Sequence, residues 1–323
     1  MLTLSESDNK LIAEIERIKT DEAIDEIFKI SQISWNSPFS RDDIEEWLQN
    51  FSGEAIGSSA AERTMALWLL SSFVYFTIDD VREFSRFLFS EYIHSKLVEY
   101  QSEGKFQDLS VSERISHILE ATLFLSLGND SESGSNVLYY FRQVNGLDKS
   151  VFQKQMDKKY ENIVFVDDVT ISGTQALTYI CQMKNSIKNE KIYFLTFLAS
   201  DVAIDELKHI EVQTLCGNLI TEREKCFSSS SYVFESENRK RYLDLTARMC
   251  QYYGSIITKG HPEAEGYPLG FDQAQSLFCF FYNTPDNTLP IFWCDRNGWK
   301  PLFKRYEKYS NRNEVPINDV FYV

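Results

Sequence analysis

Between residues 163 and 176 an apolar run, IVFV, meets two aspartates and then a hydroxyl-rich turn, VTISGT, that leads into helix-forming sequence. Four consecutive branched or aromatic residues seek burial on both faces, which describes a strand inside a parallel sheet. Asp167 and Asp168 then stand at the carboxyl end of that strand, where ligands of open α/β sheets sit. Ser172, Gly173 and Thr174 turn directly into the next helix and aim hydroxyl and backbone N–H groups at one point, at the positive end of the helix dipole. Gly173 keeps a Cβ away from an approaching oxygen. Such a turn suits a phosphate monoester, and neighbouring carboxylates suit a pair of hydroxyl donors. Phosphate and diol at that separation describe ribose 5-phosphate. The competing reading is an aspartate-capped strand-to-helix turn with no ligand.

The surrounding chain repeats the strand–helix alternation. ATLFLSLG (121–128), KIYFLTFLA (191–199) and IEVQTLC (210–216) read as further strands. Helical sequence follows at 136–145, 174–189 and from Ser200 onward, so the expected class is α/β with a parallel sheet. Residues 1–120 read as helical, with capping pairs Ser59/Glu62, Thr77/Asp80 and Ser110/Glu113 ahead of apolar positions at helical spacing. Helix returns over 236–257. The chain is thus expected to divide into a helical N-terminal region, 1–120, and an α/β region with a mixed, aromatic-rich C-terminal segment, 121–323.

The run Val164–Val169 followed by Ser172 and Gly173 resembles the ribose-5-phosphate loop of type I phosphoribosyltransferases. It departs from that pattern at Thr170, Ile171 and Gln175, the last of which replaces a threonine. The resemblance implies a phosphoribosyltransferase-like core. It assigns Asp167 and Asp168 to the ribose hydroxyls and Ser172, Gly173, Thr174 and Gln175 to the 5-phosphate. It also implies a pyrophosphate loop after an earlier strand. NDSESGS (129–135) occupies that place, with Gly128, Ser131, Ser133, Gly134 and Ser135 as donors and Arg142 as a positive charge. Asp130 and Glu132 suit that role only with Mg²⁺ between them and a pyrophosphate; the same stretch also reads as an ordinary strand–helix loop. The stretch YPLGFDQAQSLFCFFYNTPDNTLPIFW (267–293) resembles the C-terminal signature of phosphoribosyltransferase-like proteins of bacterial conflict systems, anti-phage retron operons among them. Within it Phe281, Tyr282, Phe292 and Trp293 either wall a base or belong to the core, with Tyr282 and Asn283 the base-side candidates. His261, in a Gly/Pro-rich loop, is either an exposed histidine or a catalytic one.

A formal charge of −15 disfavours broad contact with nucleic acid or anionic lipid. The six cysteines and four histidines are scattered, with no metal-ligand spacing. No 18-residue apolar run or leader-like N-terminus is present, so no membrane span and a cytoplasmic, reducing setting are expected. Three expectations follow. The first is an enzyme acting with Mg²⁺ at the anomeric carbon of a phosphoribosyl compound, by transfer or by N-glycosidic cleavage. The second is a nucleotide-sensing module without turnover. The third, which rests on the resemblance alone, is an effector held by a defence-operon partner such as a reverse transcriptase with its RNA–DNA product.

Overall fold

The computed structural model describes residues 2–128, 133–152, 160–184 and 190–306. The chain opens with α1 (Glu6–Ile15), α2 (Asp21–Ser34), α3 (Arg41–Leu48) and α4 (Ser59–Ser71), followed by β1 (Val74–Phe76), α5 (Ile78–Ser102) and α6 (Val111–Glu120). An alternating stretch follows: β2 (Thr122–Ser126), α7 (Ser133–Val144), β3 (Asn162–Thr170), α8 (Thr174–Lys184), β4 (Lys191–Ser200), α9 (Asp201–His209) and β5 (Val212–Ile220). Then come α10 (Glu237–Lys240), α11 (Leu243–Ile257) and β6 (Phe278–Phe280).

Helix starts are written locally. Thr77/Asp80 and Ser110/Glu113 form reciprocal capping boxes as expected, and Ser5/Asp8 and Ser40/Asp43 form two more. The pair Ser59/Glu62 does not: Ser58 caps α4, and Glu62 is buried and engaged elsewhere.

The four strands β2, β3, β4 and β5 lie side by side in that order, all parallel. Their apolar runs are buried on both sides. Val164, Val166, Tyr193, Leu195 and Phe197 pack with α5 and α7, whereas Ile163, Phe165, Ile192 and Phe194 pack with α8 and α9. This is the period-2 pattern of a doubly covered strand.

A further core joins the two ends of the chain. The apolar faces of α1–α4 pack with α11 and the segment from Leu277 to Phe303; Trp47 stacks on Phe292 with centroids 5.1 Å apart. Residues 2–120 are therefore shared between two cores, since α5 and α6 cover the parallel sheet. The link between the cores is a two-stranded parallel pairing of β1 with β6, Val74 opposite Phe278 and Phe76 opposite Phe280. Phe280 stacks on Phe76 and leans on Phe197 of β4, which fixes the exit of β6 beside the carboxyl ends of the main strands.

Candidate functional site

Strand β3 does not stop at the acidic pair but runs on to Thr170, so both aspartates lie within its last stretch. Asp167 is in register with Thr196 of β4. Both carboxylates are buried, at 4% and 5% exposure, which requires hydrogen bonds to replace lost water. Asp167 Oδ1 accepts from the N–H of Asp168 (3.0 Å), and Asp168 Oδ1 accepts from the N–H of Val169 (2.8 Å). Asp168 Oδ2 accepts from the hydroxyl of Tyr282 (3.0 Å). Burial and the Asp168 charge push the Tyr282 hydroxyl well above its ordinary range, so it keeps its proton and stays a donor.

Tyr282 is thereby placed differently from the base wall considered above. It stacks on Phe280 at 5.5 Å and ends on the acid pair, as a continuation of β6. Asn283 is occupied as well, with Oδ1 accepting from the N–H of Tyr306 (3.0 Å). Phe292 and Trp293 are core residues. His261 is neither exposed nor free: it is 4% exposed, meets Trp293 edge-on, and its Nδ1 accepts from the N–H of Glu263.

The hydroxyl–glycine turn is held from below by α9. Ser200, its N-cap, donates to the carbonyl of Ile171 and accepts from the N–H of Ala203 (3.0 Å). Gly173 has φ +74°, and a Cβ there would meet Ala203 Cα at 3.3 Å. The glycine is therefore demanded by its left-handed backbone and by the contact with α9, not only by room for a ligand. Gly173→Val is expected to lower stability by about 1–3 kcal/mol. Urea denaturation checks this, and a variant as stable as wild type would show that the turn relaxes freely. The carbonyl of Gly173 starts the α8 ladder by accepting from Leu177 (2.8 Å), and the N–H of Thr174 donates to Ser172 Oγ (3.4 Å).

Above the turn lies a cleft of about 600 Å³. One side comprises Gly128, the stretch Val169–Gln175, and Thr178, Tyr179 and Gln182 of α8; all four proposed phosphate ligands, Ser172, Gly173, Thr174 and Gln175, are brought together there. The facing side was not legible beforehand. It consists of Glu263, Glu265, Tyr267, Phe271, Asp286 and Asn287, with Pro262. The only sequence signal for it was the density of Gly and Pro around Tyr267; Gly266 and Gly270 both adopt positive φ.

The first loop is described at its two ends. Gly128, at φ +84°, borders the cleft. Gly134 sits where a Cβ would strike the carbonyl of Leu127 at 2.6 Å, so it lets α7 close onto the end of β2. Ser135 is in the first turn of α7. Arg142 occupies the last turn of α7, eight residues beyond Gly134, or about 12 Å along the axis. Asp130, Ser131, Glu132 and the side chain of Ser133 lie outside the described residues.

The succession of strand, buried acid pair, braced hydroxyl–glycine turn and helix spans one end of a parallel sheet, and the sequence matches the PRTase-CE family over residues 44–305. The chain belongs to the PRTase-CE family. It is a phosphoribosyltransferase-like protein, and the match takes in both the acid pair and the two sides of the cleft. Among solved structures it is similar to the orotate phosphoribosyltransferase from Aeropyrum pernix, at 15% identity and a TM-score of 0.25, covering 32% of this chain and 61% of that one. The similarity therefore spans less than two thirds of that protein's length. No curated protein matches the sequence. Among the described residues, no helix of this PRTase-CE member is long and apolar enough to cross a membrane.

Proposed function

We propose that the cleft binds a phosphoribosyl compound and that the protein acts at its anomeric carbon. The supporting observation is the convergence, on one side of a single cleft, of the turn Ser172–Gln175 with the first turn of α8, directly after the buried pair Asp167/Asp168. The turn would take the 5-phosphate by backbone N–H and hydroxyl donation, and the carboxylates would accept from the ribose hydroxyls. Tyr282 would hold the Asp168 carboxylate in one orientation while a ligand hydroxyl used its remaining lone pairs. Holding the sugar in place and enclosing the reacting centre is the main service such a site offers a cationic, oxocarbenium-like carbon.

The donor set is compatible with Mg²⁺. Asp167 and Asp168 are hard oxygen ligands, and among the described residues no group of three or more His, Cys, Asp or Glu gathers to hold a metal. A pair of carboxylates completed by ligand oxygens and water is the habit of Mg²⁺. When bound, the ion would neutralise charge on a departing phosphate group.

A second reading, a sensing module without turnover, is favoured by one observation: the described residues lining the cleft include no lysine or arginine. The resemblance to conflict-system proteins extends the proposal to a cytoplasmic anti-phage effector docked on an operon partner, such as a retron reverse transcriptase with its RNA–DNA product. Calorimetry with ribose 5-phosphate, and with phosphoribosyl pyrophosphate and Mg²⁺, tests the site; pyrophosphate and free-base release separate enzyme from sensor. The double variant Asp167→Asn, Asp168→Asn is expected to lose ribose 5-phosphate affinity at least a hundredfold, as two charge-assisted bonds at about 1.5–3 kcal/mol each imply. Undiminished binding by a folded double variant would remove the acid pair from the site.

A further inference from the structure

The pairing of β1 with β6 has one face in each of the two cores. On one face Tyr75 stacks on Trp35 with centroids 6.2 Å apart, and Leu277 and Cys279 pack in the core made by the two ends of the chain. On the other face Phe76, Phe278 and Phe280 pack with the core of the parallel sheet. This is the period-2 alternation of a ribbon covered on both sides. Only Ser72 and Phe73 separate β1 from α4, and Phe73 stacks on Phe303 at 4.4 Å. The position of β1 is therefore set from the helical end of the chain.

From β1 a short chain of contacts leads to the acid pair. The carbonyl of Phe76 accepts from the N–H of Phe281 at 2.8 Å. The ring of Phe76 stacks on Phe280 at 5.1 Å, and Phe280 stacks on Tyr282 at 5.5 Å with the planes 11° apart. A tight turn closes between Phe280 and Asn283, whose backbones bond each other in both directions (2.9 and 3.1 Å), so Tyr282 lies within it. The Tyr282 hydroxyl donates to Asp168 Oδ2, while Oδ1 accepts from the N–H of Val169. With a donor on each oxygen, the plane of this carboxylate is fixed. The hydroxyl–glycine turn is braced separately, by Ser200 and α9.

We infer that Tyr282 is a positioning residue acting through Asp168, and that β1 puts it in place, so that discrimination of sugar hydroxyls in the cleft depends on residues 74–76, which touch no ligand themselves. The inference rests on the reading of the cleft as a ribose-phosphate site. A hydrogen bond weakens steeply when its angle closes, so an acceptor selects a hydroxyl only if it is held in one orientation. Asp168 is held by Tyr282, Tyr282 by the ring of Phe280, and Phe280 by Phe76. Because α9 braces the turn independently, loosening this chain of contacts weakens the reading of the sugar and leaves the grip on a phosphate.

The test compares ribose 5-phosphate, 2-deoxyribose 5-phosphate and inorganic phosphate by calorimetry on the full chain. Wild type is expected to prefer ribose 5-phosphate over the deoxy sugar by about tenfold or more, the effect of one hydrogen bond to a charged acceptor. Tyr282→Phe keeps the ring stack and removes only the hydroxyl. It should cut that preference to about threefold or less and leave affinity for inorganic phosphate unchanged. Phe76→Ala, which takes away the ring under Phe280, should lower the preference in the same direction; Phe76→Leu replaces it if a melting curve shows the alanine variant unfolded. A wild-type preference kept by folded Tyr282→Phe or by the folded Phe76 variant overturns the inference, as does equal binding of the two sugars by wild type. In those cases ribose 5-phosphate still binds, and the reading of the cleft stands. Equal losses for ribose 5-phosphate and inorganic phosphate in Tyr282→Phe would mark general damage and also overturn the inference. Failure of wild type to bind either sugar overturns the reading of the cleft and the inference with it.

Discussion

Glu62→Ala is expected to be among the most damaging single substitutions in this chain, costing about 3–5 kcal/mol. Glu62 is fully buried on α4, and its carboxylate collects the backbone of the α3–α4 connection. Oε2 accepts from the N–H of Gly53 (2.7 Å), and Oε1 accepts from the N–H groups of Ala55 and Ile56 (both 2.9 Å). The hydroxyl of Tyr253, on α11, donates to Oε2 at 2.6 Å. Alanine would leave three backbone donors and a phenol without acceptors inside the protein, at about 1–3 kcal/mol for each group that water cannot reach. Tyr253 ties this loop to the C-terminal part of the same core, so the loss should loosen both ends of the chain together. Chemical denaturation measures the loss. A change below about 1 kcal/mol would mean that water replaces the carboxylate and that the loop is not held by it.

Glu99→Gln should cost about 2–4 kcal/mol at neutral pH, with a characteristic pH dependence. Lys96 is 1% exposed beneath the sheet and finds its charge partner in Glu99 Oε2 at 2.8 Å. Lys191 joins from β4, and the hydroxyl of Tyr193 donates to the same carboxylate at 3.2 Å. Burial on its own would raise the Glu99 pKa. Hydrogen bonds from Lys191 and Lys96, with their charges, outweigh that and hold it at about 2. A carboxyl group depressed in the folded state contributes its full stability above its unfolded pKa, near 4.3. The contribution then falls as pH drops toward 2. The gap between wild type and Glu99→Gln should therefore be widest above pH 5 and narrow steadily from about 4.3 to 2. Removing the carboxylate also leaves Lys96 buried beside a neutral amide, which accounts for the upper end of the range. A gap that stays constant across that interval would show that the ionised form of Glu99 is not what stabilises the cluster. Surface pairs such as Lys10–Glu6, both largely exposed, should give no comparable signal.

The parts of this protein that a reader of the sequence can place are those whose instructions are short. IVFV carries its own demand for burial on two faces, and SGT carries its own turn, so β3, the bend and α8 fall where residues 163–184 put them. Thr77/Asp80 and Ser110/Glu113 state where α5 and α6 begin for the same reason: the partners are three residues apart. Ser59/Glu62 shows the limit. The spacing is identical, yet a neighbouring serine could cap the helix and three loop N–H groups with a tyrosine competed for the carboxylate.

The facing half of the site depended on contacts between distant segments. FCF is too short to announce a strand, and β6 exists because β1, from the far end of the chain, is there to pair with it. That pairing decides that Tyr282 reaches Asp168 and that Phe292 and Trp293 enter the core instead of walling a ligand. With 24 phenylalanines and 17 tyrosines, composition cannot say which rings stack on one another and which face a cleft. Rings of like size exchange places at small cost until the strands and glycines around them are set. Gly270 against Asn287, and Arg305 drawing Glu263 and Asp286 together, are close approaches between segments that no local pattern connects. The hydroxyl–glycine turn was therefore readable in a dozen residues, because backbone torsion and burial are local demands. The wall opposite it came into being only when the chain had closed on itself.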